Sequence, residues 1–445
     1  MLCRNDSRRN PLSTTPAPSA RADAPVVGDP ELAHRVRSLT VRLTDPAGRP
    51  LPGARVRAEQ QGHAFWFGNI GFDEVARAAA SLPGGTPLAP HEADLLARLD
   101  ELWLDVFNQA TLPFYWGTFE ATQGRPRTAA LRAAAQHYVD RGVTVKGHPL
   151  VWHTVQPDWL KPLPDEEVLR LLRARVQRDA GEFAGLIDVW DAINEVVIMP
   201  VFTQDDNAVT RVAKTVGRIG MIQLAFDEAR AVNPGAMLLL NDFDMSADYE
   251  HLVEEALAAG VRIDALGLQS HMHKGPWGRD KTLDVLERFS RFGLRLHFTE
   301  TTLLSGDLMP REYEDLNDYQ VDVWPSTPEG EERQARELEE HYRALLAHPM
   351  VDAVTYWGLS DHGMWLNAPG GLVRADGTPK PAYEALRGMV KGEWWLAPTD
   401  VTTDADGALQ LRGFAGRYVL DVDGTRYDVE LPAAAVDESV TLTVG

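Results

Sequence analysis

Two glutamates stand where strand-like apolar runs break off: Glu195 in WDAINEVV and Glu300 in LRLHFTET. Paired carboxyl groups suit work at a glycosidic bond. One, protonated, hands its proton to the leaving oxygen while the other, ionised, attacks the anomeric carbon; a separation of about 5 to 5.5 Å gives retention of configuration. A single glutamate at a strand end is as readily the ion-pair partner of a rim Arg or Lys, but those are scarce at the neighbouring run ends. What gathers there instead is His148 and Trp152 in VTVKGHPLVW, Asn194 directly before Glu195, Asn241 and Asp242 in AMLLLNDF, Gln269 and His271 in IDALGLQSH, and Trp357 and Asp361 in VDAVTYWGLSD. Convergence of so many polar groups is costly unless they bind something. Tryptophans at strand ends are often ordinary core, yet indole faces also bury the apolar faces of sugar rings. His271 and His273, two apart on a strand, share a face and could chelate a metal with His148, His153 or His297. Carboxylates and tryptophans at the other run ends suit a sugar better, so no metal site is assigned.

Positioning these residues requires a particular scaffold. FWFGNIG, DVFNQATL, VTVKGHPLVW, LIDVWDAINE, AMLLLNDF, IDALGLQSH, LRLHFTET and VDAVTYWGLSD read as buried parallel strands. Between them lie amphipathic stretches such as TAALRAAAQHYVDRG, EEVLRLLRARVQRDAGEFAG and EERQARELEEHYRALLAH, apolar at three- and four-residue steps. The alternation predicts an α/β fold, a (β/α)8 TIM barrel, whose strand C-termini face the active-site mouth. Glu195 and Glu300 then end the fourth and seventh strands and face each other. A doubly wound open sheet is the alternative, but no GxGxxG or phosphate loop follows the first strand.

Residues 1–30, rich in Pro, Ser, Ala and Arg, read as a disordered leader. Residues 31–62 carry SLTVRLTDPAGRPLPGARVRAEQ, two alternating strands about an Asp/Pro/Gly turn, the pattern of a hairpin. The barrel is expected over 63–396. Residues 397–445 return to short alternating strands, so the N- and C-terminal segments are expected to form one small β-sandwich, discontinuous in sequence, with Phe414, Tyr418 and Tyr427 in its core.

The balance of 44 Lys and Arg against 65 Asp and Glu gives a net charge of −21, which repels nucleic acid and anionic membranes and suits a neutral partner. Cys3 is the single cysteine, so neither an internal disulfide nor a multi-thiolate metal site can form. No apolar run is long enough to span a bilayer and the first residues lack the apolar stretch of a secretory signal; as written, the chain is expected in the cytoplasm, with secretion open if its start is misassigned.

GHPLVWHTVQPDWL, WDAINEVV, NDF, GLQSH, HFTET and WGLSDHGMWL stand in the order, and at about the spacings, of the family 10 glycoside hydrolases, the endo-β-1,4-xylanase family. The chain resembles a member over about Phe65 to Trp394. That resemblance implies a retaining, endo-acting (β/α)8 enzyme needing no cofactor, acting on β-1,4-linked xylan or a related plant polysaccharide or oligosaccharide. It implies Glu195 as general acid/base and Glu300 as nucleophile. Asn194 resembles the donor to the sugar 2-hydroxyl, His271 the histidine bonded to the nucleophile, and His148 and Gln269 sugar contacts; Trp152, Trp357 and Trp365 resemble the walls of the reacting subsite. Asn241 and Asp242 match a run read as structural. On a strand, adjacent side chains point to opposite faces, so Asn194 and Glu195 can share the site only if the backbone twists or bulges there.

Three departures stand out. After the second strand the family carries a run like TxENxMKW that binds sugar on the non-reducing side, whereas this chain reads TLPFYWGTFEATQG. Phe243 replaces a Tyr, and Thr302 stands where an Asp would orient the histidine beside the nucleophile. Specificity is therefore open between xylan and a different β-glycoside, with a non-catalytic carbohydrate-binding protein as the alternative of another class.

Overall fold

The eight apolar runs become eight strands: β1 Trp66–Ile70, β2 Gln109–Pro113, β3 Thr144–His148, β4 Val189–Asn194, β5 Met237–Asp242, β6 Ala265–Leu268, β7 Arg295–Thr301 and β8 Val351–Tyr356. The computed structural model describes residues 21–23, 28–204, 206–433 and 438–445. Each strand pairs in parallel with its sequence neighbours and β8 pairs with β1, so the sheet closes into a barrel. The expected (β/α)8 barrel is what the chain forms, and the open-sheet alternative falls with the β8–β1 pairing.

Strand alternation sorts the residues of β4. Trp190 packs on Phe114 and Phe183, with ring centroids 4.8 and 6.4 Å away, while the next residue, Asp191, points to the opposite face and meets Lys146 and His148 of β3. The neighbour across from Trp190 must be glycine: a Cβ on Gly147 would lie 2.1 Å from the indole. Helices cover the outside, among them Thr128–Val139, Asp165–Glu182, Ala208–Val232 and Pro328–Leu346. Two starts are capped as their sequences dictate: Asn207 accepts from the Thr210 amide and Thr327 from the Gly330 amide, each worth about 1 kcal/mol. Two helices, Phe72–Ser81 and Pro90–Val106, lie between β1 and β2. Among the described residues no helix is long and apolar enough to cross a membrane.

Residues up to Ala64 and from Trp394 onward form a second compact unit. It holds two four-stranded sheets. In the first, Val36–Thr44 lies between Ala408–Phe414 and Glu438–Thr443; in the second, Arg55–Gln60 lies between Thr399–Thr402 and Gly416–Val422. Alternate residues are buried, as in Leu39, Val41 and Leu43. Phe414 and Tyr418 are buried and Tyr427 is partly so.

The hairpin expectation is corrected here. The turn itself forms, with the Gly48 amide bonded to Asp45 O and the Asp45 amide to Arg49 O, both 2.9 Å. Its two strands then part into different sheets, because each finds longer pairing with a C-terminal strand than with the other. Residues 1–20 and 24–27 of the expected leader lie outside the described residues, while Arg21–Asp23 form a short strand beside Ala408–Phe414.

Candidate active site

All nine sequence-predicted site residues come from the C-terminal ends of the barrel strands or the loops that follow them, and they meet in one hydrogen-bonded cluster with an aromatic rim. Glu300, near the end of β7, is 4 % exposed. Its Oε1 accepts from Asn241 Nδ2 at 2.9 Å and its Oε2 lies 3.1 Å from His271 Nε2. His148 Nε2 stands 4.0 Å from Oε1. Burial would lift this carboxyl, but His148 and then His271 outweigh it and hold Glu300 below its ordinary value.

Glu195 is held differently. It leaves β4 with φ +55°, in the left-handed region that a side chain rarely adopts. The β4–β5 pairing is itself irregular between Asp191 and Ile193. Both features turn the chain so that Glu195 lies beside Asn194 instead of opposite it, which meets the steric requirement read from the sequence. Its Oε2 accepts from Trp152 Nε1 at 2.8 Å, and its Oε1 from Asn194 Nδ2 at 3.0 Å and Gln269 Nε2 at 3.3 Å. Burial, and next the charge of Glu300, push the Glu195 carboxyl up to about 8. At neutral pH one carboxyl is protonated and the other ionised.

Asn194 joins the two. Its Oδ1 accepts from Asn241 Nδ2 at 2.7 Å and Gln269 Nε2 at 3.1 Å. Asn241, read from the sequence as structural, thus bonds directly to both Asn194 and Glu300, and Thr299 fixes its amide orientation by donating to Oδ1 at 2.6 Å. The visible signal was its place at a strand end, since β5 adjoins β4. Asp242 did go to structure: it accepts the Val197 amide at 3.1 Å and so ties down the loop after β4. Asp361 also lies apart from the carboxylates, because the fully buried Lys380 holds it at 2.8 Å. That pair tethers the loop carrying Trp365, where Leu366 and Asn367 both have positive φ.

Beneath the cluster lies an ion pair that sequence reading passed over. Lys146 Nζ and His148 Nδ1 approach the same Asp191 oxygen at 2.8 and 2.7 Å, with all three side chains at most 1 % exposed. Asp191 would be raised by its burial, but Lys146 and His148 overcome this and keep it ionised. A lysine and an aspartate inside otherwise apolar strands were the available sign. Removing one member of such a pair strands a buried charge. Asp191→Asn is therefore expected to lose about 3 to 5 kcal/mol of folding stability, read from denaturant midpoints; an unchanged midpoint would show that Lys146 finds another partner.

Aromatic rings rim the cluster. Trp357 lies 5.1 Å from His148 and Trp365 5.0 Å from His271. Thr302, in place of an acidic residue, still meets His271 Nδ1 at 3.1 Å. Tyr115, within the TLPFYWGTFEATQG stretch that departs from the family's run, packs on His148 and Trp152 at 5.7 and 5.4 Å. Burial, then the charges of Glu300 and Glu195, push its phenol well above its ordinary range. Its place after the second run, in the stretch standing where the family binds sugar, was the available hint. Of the other histidines, His153, His273 and His297 are buried, and burial lowers them to about 3, 3 and 4.

Residues 92–389 match the model of glycosyl hydrolase family 10. The chain belongs to that family. The family 10 chain is 28% identical over 278 residues to endo-1,4-beta-xylanase C of Paenibacillus barcinonensis, covering 54% of this chain but only 24% of that protein. It is 30% identical over 235 residues to a beta-1,4-xylanase of Dictyoglomus thermophilum, covering 51% of this chain and 62% of that one. A solved family 10 structure from Paenibacillus barcinonensis superposes with a TM-score of 0.59 at 25% identity, over 73% of this chain and 95% of the other.

Proposed function

We propose that this family 10 protein is a retaining glycoside hydrolase that cleaves β-1,4-linked xylan or xylo-oligosaccharide by double displacement. The observation that carries the reading is the pair of buried carboxyls held differently in one network, Glu195 by Trp152, Asn194 and Gln269 and Glu300 by Asn241 and His271, so that burial raises the first while His148 and His271 lower the second. The xylanase names of its relatives supply the substrate class.

In the first displacement Glu300 attacks the anomeric carbon while Glu195 gives its proton to the departing oxygen, leaving a covalent glycosyl-enzyme. Glu195, now ionised, takes a proton from water, whose oxygen displaces Glu300 with a second inversion. The Asn194 amide spends one N–H on Glu195 and has a second for the sugar 2-hydroxyl, a contact that strengthens in the transition state. His148 is fixed through Nδ1 by Asp191, so its Nε2 faces the substrate; Gln269 adds a second polar contact, and Trp152, Trp357 and Trp365 bury the sugar's C–H faces. No step calls on a cofactor.

A different β-glycoside is the second reading, favoured by TLPFYW, where an aromatic surface replaces polar contacts. The test is reducing-sugar release from β-1,4-xylan, arabinoxylan, mixed-linkage glucan, cellulose and short xylo-oligosaccharides. NMR of the first-formed product should give the β-anomer. Release from xylan substrates supports the reading; silence on them with release from glucans moves the substrate, and an initial α-anomer overturns the retaining mechanism.

A further inference from the structure

Because the nucleophile and the acid approach the anomeric carbon from opposite sides, a sugar chain must pass between them. With Glu195 at β4 and Glu300 at β7, that path crosses the barrel mouth from the β1–β2 side to the β5–β6 side. The two ends of the path differ. Beyond β5, Phe243 is 45% exposed. At the other end the rings of Trp152, Tyr115, Phe72 and Trp357 form a continuous wall, with successive centroids 5.4, 6.0 and 5.9 Å apart. Those are separations of rings in contact, and no pyranose passes between them.

The wall also shows which sugar it bounds. Tyr115 and Trp357 both stand nearly perpendicular to the ring of His148, at 5.7 and 5.1 Å, and His148 is the histidine 4.0 Å from Glu300. The enclosed ring is thus the one Glu300 captures, and further units on its non-reducing side meet Phe72 and Tyr115. Phe72 opens the helix Phe72–Ser81 and Tyr115 directly precedes the short helix Trp116–Phe119, so both are fixed by regular structure.

We propose that the non-reducing side of the site holds a single sugar ring, so that the enzyme removes monosaccharides from chain ends, with Phe72 and Tyr115 setting that limit. The proposal rests on the hydrolase reading above. It is tested with 4-nitrophenyl β-xyloside, 4-nitrophenyl β-xylobioside and xylohexaose. The xyloside is expected to match or exceed the xylobioside in kcat/KM, with xylose as first product from the hexaose. The double variant Phe72→Gly, Tyr115→Ala should raise the xylobioside over the xyloside by about tenfold, the scale of one added apolar subsite contact, while still cleaving both. A wild-type preference of tenfold or more for the xylobioside, with mid-chain products from the hexaose, overturns the inference and leaves the hydrolase reading standing. No turnover of any substrate above a Glu300→Ala control overturns both.

Discussion

Replacing Glu300 by alanine is expected to cut kcat on xylo-oligosaccharides by about 10⁵, equivalent to roughly 7 kcal/mol of transition-state stabilisation. Without a carboxylate below the anomeric carbon no glycosyl-enzyme can form, and nothing in the cluster can replace it. The neighbours are a histidine at 3.1 Å and an asparagine at 2.9 Å, both already turned toward the lost oxygens. Folding should survive, since Asn241 keeps its bond to Asn194 and His271 its contact with Thr302 when the carboxylate is gone. The measurement is steady-state rate together with ligand binding. A variant retaining a tenth of the rate would place the nucleophile elsewhere, and the natural suspect would be Asp191, the other carboxylate that faces His148.

Removing Glu195 acts on both displacements, but unequally across substrates. A sugar leaving group needs its proton, so Glu195→Ala should lose about 10² to 10⁴ on xylo-oligosaccharides. A nitrophenolate leaves unaided, so on aryl glycosides the first step persists, the second slows, and a burst of nitrophenol precedes slow turnover. The pH profile makes the same point with a sign. Glu300 must be ionised, so kcat/KM rises through a limb below the ordinary glutamate range; Glu195 must be protonated, so activity falls as pH climbs through about 8. In the variant the alkaline limb should vanish. Equal loss on all leaving groups, with that limb intact, would remove Glu195 from the acid/base role.

Much of this was legible in the chain because barrel strands announce themselves twice, by an apolar run and by the polar residue that ends it. Glu195, Glu300, His148, Gln269 and the tryptophans followed from that rule together with the family resemblance. What escaped depends on contacts between strands. Asn241 looked structural because it falls in the NDF run that the family resemblance marks as structural, and only its contacts with Asn194 on β4 and Glu300 on β7 make it a bridge. Tyr115 sat in an apolar run whose aromatic members differ by which way the chain turns after Pro113. Lys146 and Asp191 were visible as charges in apolar strands, but their meeting requires the β3–β4 pairing. The terminal turn and its two strands were legible but the pairing of those strands with each other was not, since turn chemistry is local and the strand partners here lie at the far end of the chain.

That last arrangement sets an order of events during synthesis. The strands Val36–Thr44 and Arg55–Gln60 emerge before the barrel, yet most of their partners follow it, and Ala54 bonds to Thr403, 349 residues later. At a ribosomal pace of about 5 to 20 residues per second, these strands wait roughly 20 to 70 s with bare edges. Bare edges invite pairing with other chains. A chain ending at Glu393 never receives its partners, and protease should cut it within 36–60 while sparing the same stretch in the complete chain; resistance there would mean the early strands pair without the late ones. The reading frame is thus a timer, and the nascent protein spends most of it holding an unanswered sheet.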